Sequence, residues 1–151
     1  MKKREREERE YALIAGAKAD DRGLVNRMLG FGANIDSTVA GGAALHVAIA
    51  LKNAGLAEWL MTEHGASPNV RDRRNGQTPL HYAFRQGNED LALLLIAKGA
   101  SLLVKDNDGK LPLAYAPKGD VLQFFNNMAM LAARREKEKS LAKPLPSPKP
   151  V

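Results

Sequence analysis

The sequence predicts an all-α fold made of stacked helix-turn-helix units with protruding loops. Three observations support this prediction: a pattern that recurs about every 33 residues, paired helix-like segments within each copy, and polar glycine-containing turns between copies. The second segment of one copy, Asp90 to Lys98, is apolar on nearly every side and is too short to be stable alone. Each unit is therefore expected to pack against its neighbours and to form one continuous core.

The amino-acid composition fits one domain with charged ends. The chain has 151 residues, of which 44% are hydrophobic, 26% charged and 5% aromatic. It contains no cysteine, which excludes disulfides, thiolate metal sites and cysteine nucleophiles. The longest apolar run, Leu91 to Ala97, has seven residues, whereas a spanning helix needs about 20. We therefore expect no membrane span.

The formal net charge of +6 is concentrated at the C-terminal end. Residues 1–10 carry five basic and four acidic side chains, residues 11–133 carry twelve and eleven, and residues 134–151 carry six and two. A nucleic-acid partner is therefore expected only through the tail. We divide the chain into a charged N-terminal helical extension (1–10), a repeat domain (11–133) and a basic, proline-rich tail (134–151).

The repeat is clearest from Gly76 to Asp108, a 33-residue stretch containing TPLHYA, and a second start with LPLAYA follows at Gly109. An upstream copy from Gly41 to Asp72 carries one extra residue near Lys52 and another near Arg74. A weaker copy, LVNRMLGFGANID, comes before it, and its first helix is expected over residues 11–18. The repeats are placed at approximately 11–36, 41–72, 76–108 and 109–131.

The helix boundaries follow from side-chain and backbone chemistry. Thr78 is a good N-cap whose hydroxyl is expected to accept from the His81 amide, and Pro79 suits the first helical position. Gly87 ends this helix, and Gly99 supplies the left-handed residue after the second one. The apolar positions expected in the other second helices are Leu24, Val25, Met28 and Leu29, then Leu56, Trp59, Leu60 and Met61, then Val121, Phe124, Phe125 and Met128.

These copies resemble the ankyrin-repeat family, whose signature includes T-P-L-H-x-A, a mid-repeat glycine and a terminal Gly-Ala on a 33-residue period. The third copy carries the whole signature from Thr78 to Ala100, whereas the second has Ala43-Ala44 in place of Thr-Pro. The fourth has Leu111 and Ala114 in place of the Thr and the His. The resemblance implies an ankyrin-repeat solenoid of three to four units.

Both ends of the repeat domain are expected to be helical. The first ten residues pair opposite charges four positions apart, each pair adding about 0.2–0.5 kcal/mol to a solvated helix. The pairs are Lys3 with Glu7, Arg4 with Glu8, Glu5 with Arg9 and Arg6 with Glu10. Asp120 with Gln123 resembles a capping box, and the helix is able to continue past Leu131 to Lys139. Beyond Ser140, alternating prolines favour an extended tail.

The sequence offers no chemistry typical of an enzyme. His46 and His81 occupy the signature position, where the resemblance implies hydrogen bonds to backbone groups. His64 is expected to be an exposed cation at a helix end. The loop Asp106–Gly109 lacks two of the oxygen ligands of a calcium loop, and the glycine patterns of phosphate-binding loops are incomplete. We therefore expect a non-enzymatic protein without catalytic, metal or cofactor-binding residues.

The resemblance implies that a partner contacts the loop tips and the exposed faces of the first helices. The expected partner-binding residues are Arg71, Arg73, Arg74, Asn75, Gln77, Arg85, Gln86, Asn107, Asp108, Lys110 and Lys118. Four arginines of this set suggest a guanidinium cluster suited to a carboxylate or a phosphate. The expected partner is a protein with an acidic or phosphorylated surface, the alternative being solvated loop charges without a partner.

The leading functional hypothesis is a protein-protein interaction module, an adaptor or scaffold. The alternative is an accessory structural subunit of a large protein or ribonucleoprotein assembly, anchored by the basic tail. A third hypothesis is a kinase-inhibitor-like regulator, because Gly109–Pro112 resembles the start of the last repeat in small ankyrin inhibitors of cyclin-dependent kinases; the lengthening near Lys52 argues against it. No secretory signal is apparent, so we expect a cytoplasmic or nuclear protein, with organelle import left open.

Overall fold

A computed structural model describes residues 2–117 and 121–142 of the chain. Its elements are α1 (Lys2–Lys18), α2 (Arg22–Gly30), α3 (Ala44–Ala50), α4 (Ala54–His64), α5 (Pro79–Arg85), α6 (Glu89–Ala97), a 3₁₀ helix (Pro112–Tyr115) and α7 (Val121–Ala142). No strand occurs among the described residues, so the predicted all-α fold of stacked helix-turn-helix units is confirmed. Lys118, Asp120 and the proline-rich segment 143–151 lie outside the described residues.

The helices pack in pairs and the pairs stack. Within a unit, α1 packs on α2, α3 on α4 and α5 on α6, and across units α1 contacts α3, α3 contacts α5, and α5 contacts the 3₁₀ helix. Leu13, Leu45 and Leu80, one from each of the three first helices, are fully buried. The predicted apolar positions of the second helices join the same cluster apart from Leu24, which is half-buried outside it; the side chains of Val121, Phe124 and Phe125 lie outside those described. The predicted continuous core is confirmed within the described part of the chain.

Helix α1 runs through Tyr11 without a break. Three of the predicted i, i+4 pairs form ion pairs in it, with the shortest, Arg6 Nε to Glu10 Oε1, at 3.2 Å. Glu10 differs from the expected solvated residue, because only 7% of it is exposed. Its second carboxylate oxygen accepts a hydrogen bond of 2.7 Å from the Ser37 hydroxyl, and these partners make its burial tolerable.

The prediction of an extra residue near Lys52 is wrong. Lys52 has a φ of 57° and stands where the third unit has Gly87, with a φ of 64°. In both units the next residue, Asn53 or Asn88, caps the second helix, so the two turns have equal length. The extra residue lies instead at the end of α4, which has 11 residues whereas α2 and α6 have nine. The sequence did not show that Lys52 and Gly87 are equivalent, because a residue other than glycine is uncommon in the left-handed region.

The fourth unit departs from the others in its first helix. Residues Pro112–Tyr115 form a 3₁₀ helix of four residues, and Ala116 is extended with a ψ of 147°. Pro117 accounts for this ending, because the residue before a proline is pushed out of the α region and proline has no N–H to continue the helix. Helix α7 then extends for 22 residues, so the predicted continuation past Leu131 is confirmed.

The division of the chain at residues 10 and 133 stays a proposal, since α1 and α7 both run across these boundaries. In residues 2–117 and 121–142, no helix is long and apolar enough to cross a membrane.

Candidate partner-binding surface

Two loops project between the units, and buried aspartates hold their shape. We name them the second finger loop (71–77) and the third finger loop (105–110). In the second, the Asp72 N–H donates to the Gln77 carbonyl at 2.8 Å, and Asp72 Oδ1 accepts from the Asn75 and Gln77 amides. Asp106 has the same role in the third, where its backbone N–H donates to the Lys110 carbonyl at 2.9 Å. The second loop is one residue longer, as the sequence predicted near Arg74.

The tips of consecutive loops are tied together. The Arg73 N–H donates to the carbonyl of Gly41, in the loop between α2 and α3, at 2.7 Å, and the Asn107 N–H donates to the Asn75 carbonyl at 2.9 Å. The Arg71 guanidinium also donates to Asn107 Oδ1 at 3.2 Å. These bonds join segments about 30 residues apart in sequence, so the loops form one ordered surface.

The two signature histidines bridge neighbouring units. His46 Nδ1 accepts from the Ala43 amide at 3.1 Å, and its Nε2 lies 2.7 Å from the Gln77 carbonyl. His81 repeats the arrangement, with Nδ1 3.0 Å from the Thr78 amide and Nε2 3.0 Å from the Lys110 carbonyl. In both rings Nδ1 is thus the acceptor and Nε2 carries the proton that it donates. The backbone bonding implied by the family resemblance is present.

The hydroxyl of Thr78 differs from its expected contact. It lies 2.8 Å from His81 Nδ1 instead of accepting from the His81 amide. The ring therefore caps the helix by accepting from the Thr78 amide, a bond that Ala43 supports equally well in the second unit. This explains why the second unit folds without the Thr-Pro pair.

Tyrosine–aspartate pairs lie beneath the exposed surface. Tyr82 donates to Asp72 Oδ2 at 2.6 Å, and Tyr115 donates to Asp106 Oδ2. Burial opposes the charge of Asp72, but the hydrogen bonds from Tyr82 and the loop amides outweigh it and hold the pKa of that carboxyl below its usual value. The hydrogen bond from Tyr115 is the main cause that lowers the pKa of Asp106. Burial lowers the pKa of His46, so its ring is neutral at pH 7.

Most of the predicted partner-binding residues are exposed. The exposed ones are Arg71, Arg73, Arg74, Asn75, Arg85, Asn107, Asp108 and Lys110. Gln86 is half-buried and donates to the Ala50 carbonyl at 3.2 Å. Lys118 lies outside the described residues.

Gln77 differs from the expectation of an exposed contact residue. Only 3% of it is exposed, its Nε2 donates to Asp106 Oδ2 at 3.3 Å, and its Oε1 accepts from the Arg85 guanidinium. The buried side chain of Gln77 thus links the two finger loops. The sequence did not reveal this role, because the partner Asp106 is 29 positions further along the chain.

The four predicted arginines have different surroundings. The Arg74 guanidinium lies over Gly41, where an added Cβ would be 2.8 Å from its Nε, whereas Arg71 bonds to the Gly76 carbonyl. The Arg85 guanidinium lies 4.8 Å from the centre of the Tyr115 ring. Within the described residues, none of the four arginines has a carboxylate oxygen within 4 Å, and the ion pairs there are in α1 and at the start of α2.

His64 differs from the expected exposed cation. It is half-buried, and its ring packs edge-on against Trp59 with ring centres 4.5 Å apart. The longer α4 brings the ring to this position. In the described part of the chain, no group of three His, Asp or Glu residues is placed to hold a metal.

Family comparison agrees with this architecture. Residues 50–139 match the family described as ankyrin repeats (3 copies). The chain belongs to the ankyrin-repeat family. Ankyrin repeats generally mediate protein–protein interaction and are typically non-enzymatic.

Curated relatives share parts of this chain. Identity is 36% over 70 residues to the inhibitor of Bruton tyrosine kinase from Xenopus laevis, covering 46% of this chain and 5% of that protein. It is 33% over 93 residues to cyclin-dependent kinase inhibitor 2A from Monodelphis domestica, covering 62% and 54%. It is 36% over 117 residues to protein PhlB from Serratia liquefaciens, covering 76% and 51%. The chain thus spans about half or less of each of these relatives.

Proposed function

We propose that this ankyrin-repeat chain is a non-enzymatic adaptor that binds a protein partner through its finger-loop tips and first-helix faces. The observation that carries the proposal is the tie between the tips, Arg73 to Gly41 and Asn107 to Asn75. A surface that is ordered before binding loses little conformational entropy when a partner arrives. Several side chains on these tips, Arg73 and Arg74 among them, are exposed, which supports a role in contacts with another protein.

The charge of the surface favours an acidic partner. Arg73 and Arg74 are exposed, and no carboxylate among the described residues pairs with either of them. Unpaired guanidinium groups are suited to bidentate contacts with carboxylates or phosphates. We place this interaction inside the cell, in the cytoplasm or the nucleus, as part of the proposal.

The test is affinity capture with a charge-reversed surface. We expect Arg73→Glu with Arg74→Glu to reduce partner capture about tenfold or more, with a melting temperature within about 2 °C of the wild-type value. Arg85 is left unchanged because it bonds Gln77 and stacks on Tyr115, so its replacement would disturb the fold. Capture from native lysate is quantified by crosslinking and mass spectrometry.

The matched control reverses two exposed charges away from the finger loops, in α2 and directly after α6, with Arg27→Glu and Lys98→Glu. It changes the net charge by the same amount and is expected to leave capture unchanged. Equal capture by the finger-loop variant and the wild type would overturn the proposed surface.

A second candidate, an accessory subunit of a large assembly, is favoured by one observation. Residues 134–142 continue α7, and the described side chains there, including Arg134 and Lys137, are exposed. Removal of residues 134–151 should abolish capture under this alternative and preserve it under the adaptor proposal. Strong salt dependence of the captured complex would indicate contacts of the tail with phosphates.

The kinase-inhibitor-like role remains third. The second unit is not shortened at the turn of Lys52, as it is in the small ankyrin inhibitors of cyclin-dependent kinases, and α4 is longer than α6. The relative that carries the inhibitor name matches 62% of this chain at 33% identity. Inhibition of a cyclin-dependent kinase by the purified chain is the measurement that would support this role.

A further inference from the structure

A small cleft opens beside the finger loops, between the first three units. It has a volume of about 170 Å³ and is walled by Lys18 at the end of α1, Val47 of α3, Tyr82 of α5, and Arg74. Since a water molecule occupies about 30 Å³ in the liquid, the cleft holds roughly five or six waters. This volume suits one side chain of a partner and is too small for a folded element.

Two exposed cations face this cleft from separate units. Neither Lys18 nor Arg74 has a carboxylate oxygen within 4 Å among the described residues. The backbone keeps Arg74 at this position, because the preceding Arg73 amide is bonded to Gly41, and Gly41 has no side chain to displace the guanidinium. An L-residue at Gly41, whose φ is 104°, would be strained as well as too close to Arg74.

One buried anion stands behind the cleft. Asp72 accepts the hydrogen bond from Tyr82, and only 5% of the residue is exposed. Its negative charge partly offsets the cations around the cleft, which favours a singly charged carboxylate over a doubly charged phosphate. Val47 and the Tyr82 ring supply apolar contacts for the methylene groups that carry such a carboxylate.

We propose that this cleft receives one aspartate or glutamate side chain from an extended segment of the partner protein. The proposal rests on the adaptor function and names the chemistry that the adaptor recognises. Arg74 supplies the planar pair of donors that a carboxylate prefers, and Lys18 supplies the second charge. Arg74 is among the residues that the sequence predicted to bind a partner, whereas Lys18, which is 56 positions earlier in the chain, is not.

The probe is a displayed library of random 12-residue peptides selected on the full chain. We expect the recovered peptides to share one acidic position. For the tightest peptide, replacement of that residue by its amide should weaken binding about ten- to hundredfold in a fluorescence titration. The double variant Lys18→Gln with Arg74→Gln should weaken binding of the acidic peptide by a similar factor and leave the amide peptide unaffected.

The matched control is Lys98→Gln with Arg27→Gln, which removes the same two kinds of charge directly after α6 and in α2 and should not change binding. A phosphoserine at the acidic position tests the charge argument, since it should bind more weakly than glutamate. Tighter binding of phosphoserine, a library without a shared acidic position, or a library without binders would each overturn the proposal.

The adaptor proposal is decided separately by capture from lysate. Retained sensitivity of capture to Arg73→Glu with Arg74→Glu, together with failure of the peptide test, would reject the carboxylate cleft alone. Loss of both results would reject the surface itself.

Discussion

The junction between the second and third units and the junction between the third and fourth use the same hydrogen bonds but join different structures. His46 reaches the Gln77 carbonyl at 2.7 Å and His81 reaches the Lys110 carbonyl at 3.0 Å, and a tyrosine–aspartate pair supports each loop. The first junction is followed by a seven-residue α-helix, and the second by a four-residue 3₁₀ helix. The finger loop therefore forms the same hydrogen bonds at both junctions, whatever the length of the helix that follows.

The structure of the stack differs at its C-terminal side. The fourth unit keeps the finger loop and the tyrosine but has Ala114 where the second and third units have histidine, so among the described residues it lacks the side chain for an equivalent bond. Pro117 shortens its first helix, and α7 lengthens to 22 residues. Both finger loops are thus complete, while the helices beneath them change.

The largest expected effect is the loss of a bridging histidine. His46→Ala leaves the Ala43 amide and the Gln77 carbonyl without their ring partner in a buried region, so we expect the free energy of unfolding to fall by about 2–4 kcal/mol. His81→Ala should cost about 1–3 kcal/mol, since a shorter helix depends on that junction. Urea unfolding followed by circular dichroism measures both. A larger loss for His81→Ala would contradict the ranking of the two junctions.

The sequence was sufficient for the parts of the fold that depend on local chemistry. The start of α5 at Pro79 after its Thr78 cap and the left-handed Gly99 were predicted from single residues and their neighbours. Gln77 was misjudged because its side chain bonds Asp106 in the next finger loop, and Lys18 was overlooked because it faces the cleft from the first unit. Such contacts depend on how units stack, which a pattern within one unit does not specify.

We expect a smaller loss of stability at acid pH. The pH range of this loss separates the contribution of the histidine from that of the aspartate. Because folding lowers the pKa of His46 below its ordinary 6.5, its contribution to stability is complete above pH 6.5 and is lost as the pH falls through the folded value. The lowered pKa of Asp72 adds a second loss below its ordinary 3.8. Stability should therefore fall in two ranges.

Unfolding by urea at pH 7.5, 5.5 and 3 would separate these two ranges. In His46→Ala, the difference in unfolding free energy between pH 7.5 and 5.5 should shrink while the loss below pH 3.8 remains. An unchanged difference between pH 7.5 and 5.5 in that variant would assign the upper range to another group.

The smallest expected effect is at the turn inside each unit, where Lys52 and Gly87 adopt the same left-handed backbone. Lysine is strained there by about 1–2 kcal/mol, and glycine recovers this strain but increases the entropy of the unfolded chain by up to about 1 kcal/mol. We therefore expect Lys52→Gly to stabilise the protein by about 0.5–1 kcal/mol.

Gly87→Ala should destabilise the protein by about 1–2 kcal/mol, because the added Cβ is strained and lies 3.0 Å from Pro117 Cγ. Thermal unfolding measures the change in stability of both variants. Destabilisation by Lys52→Gly would show that the lysine side chain contributes more to stability than its backbone strain costs.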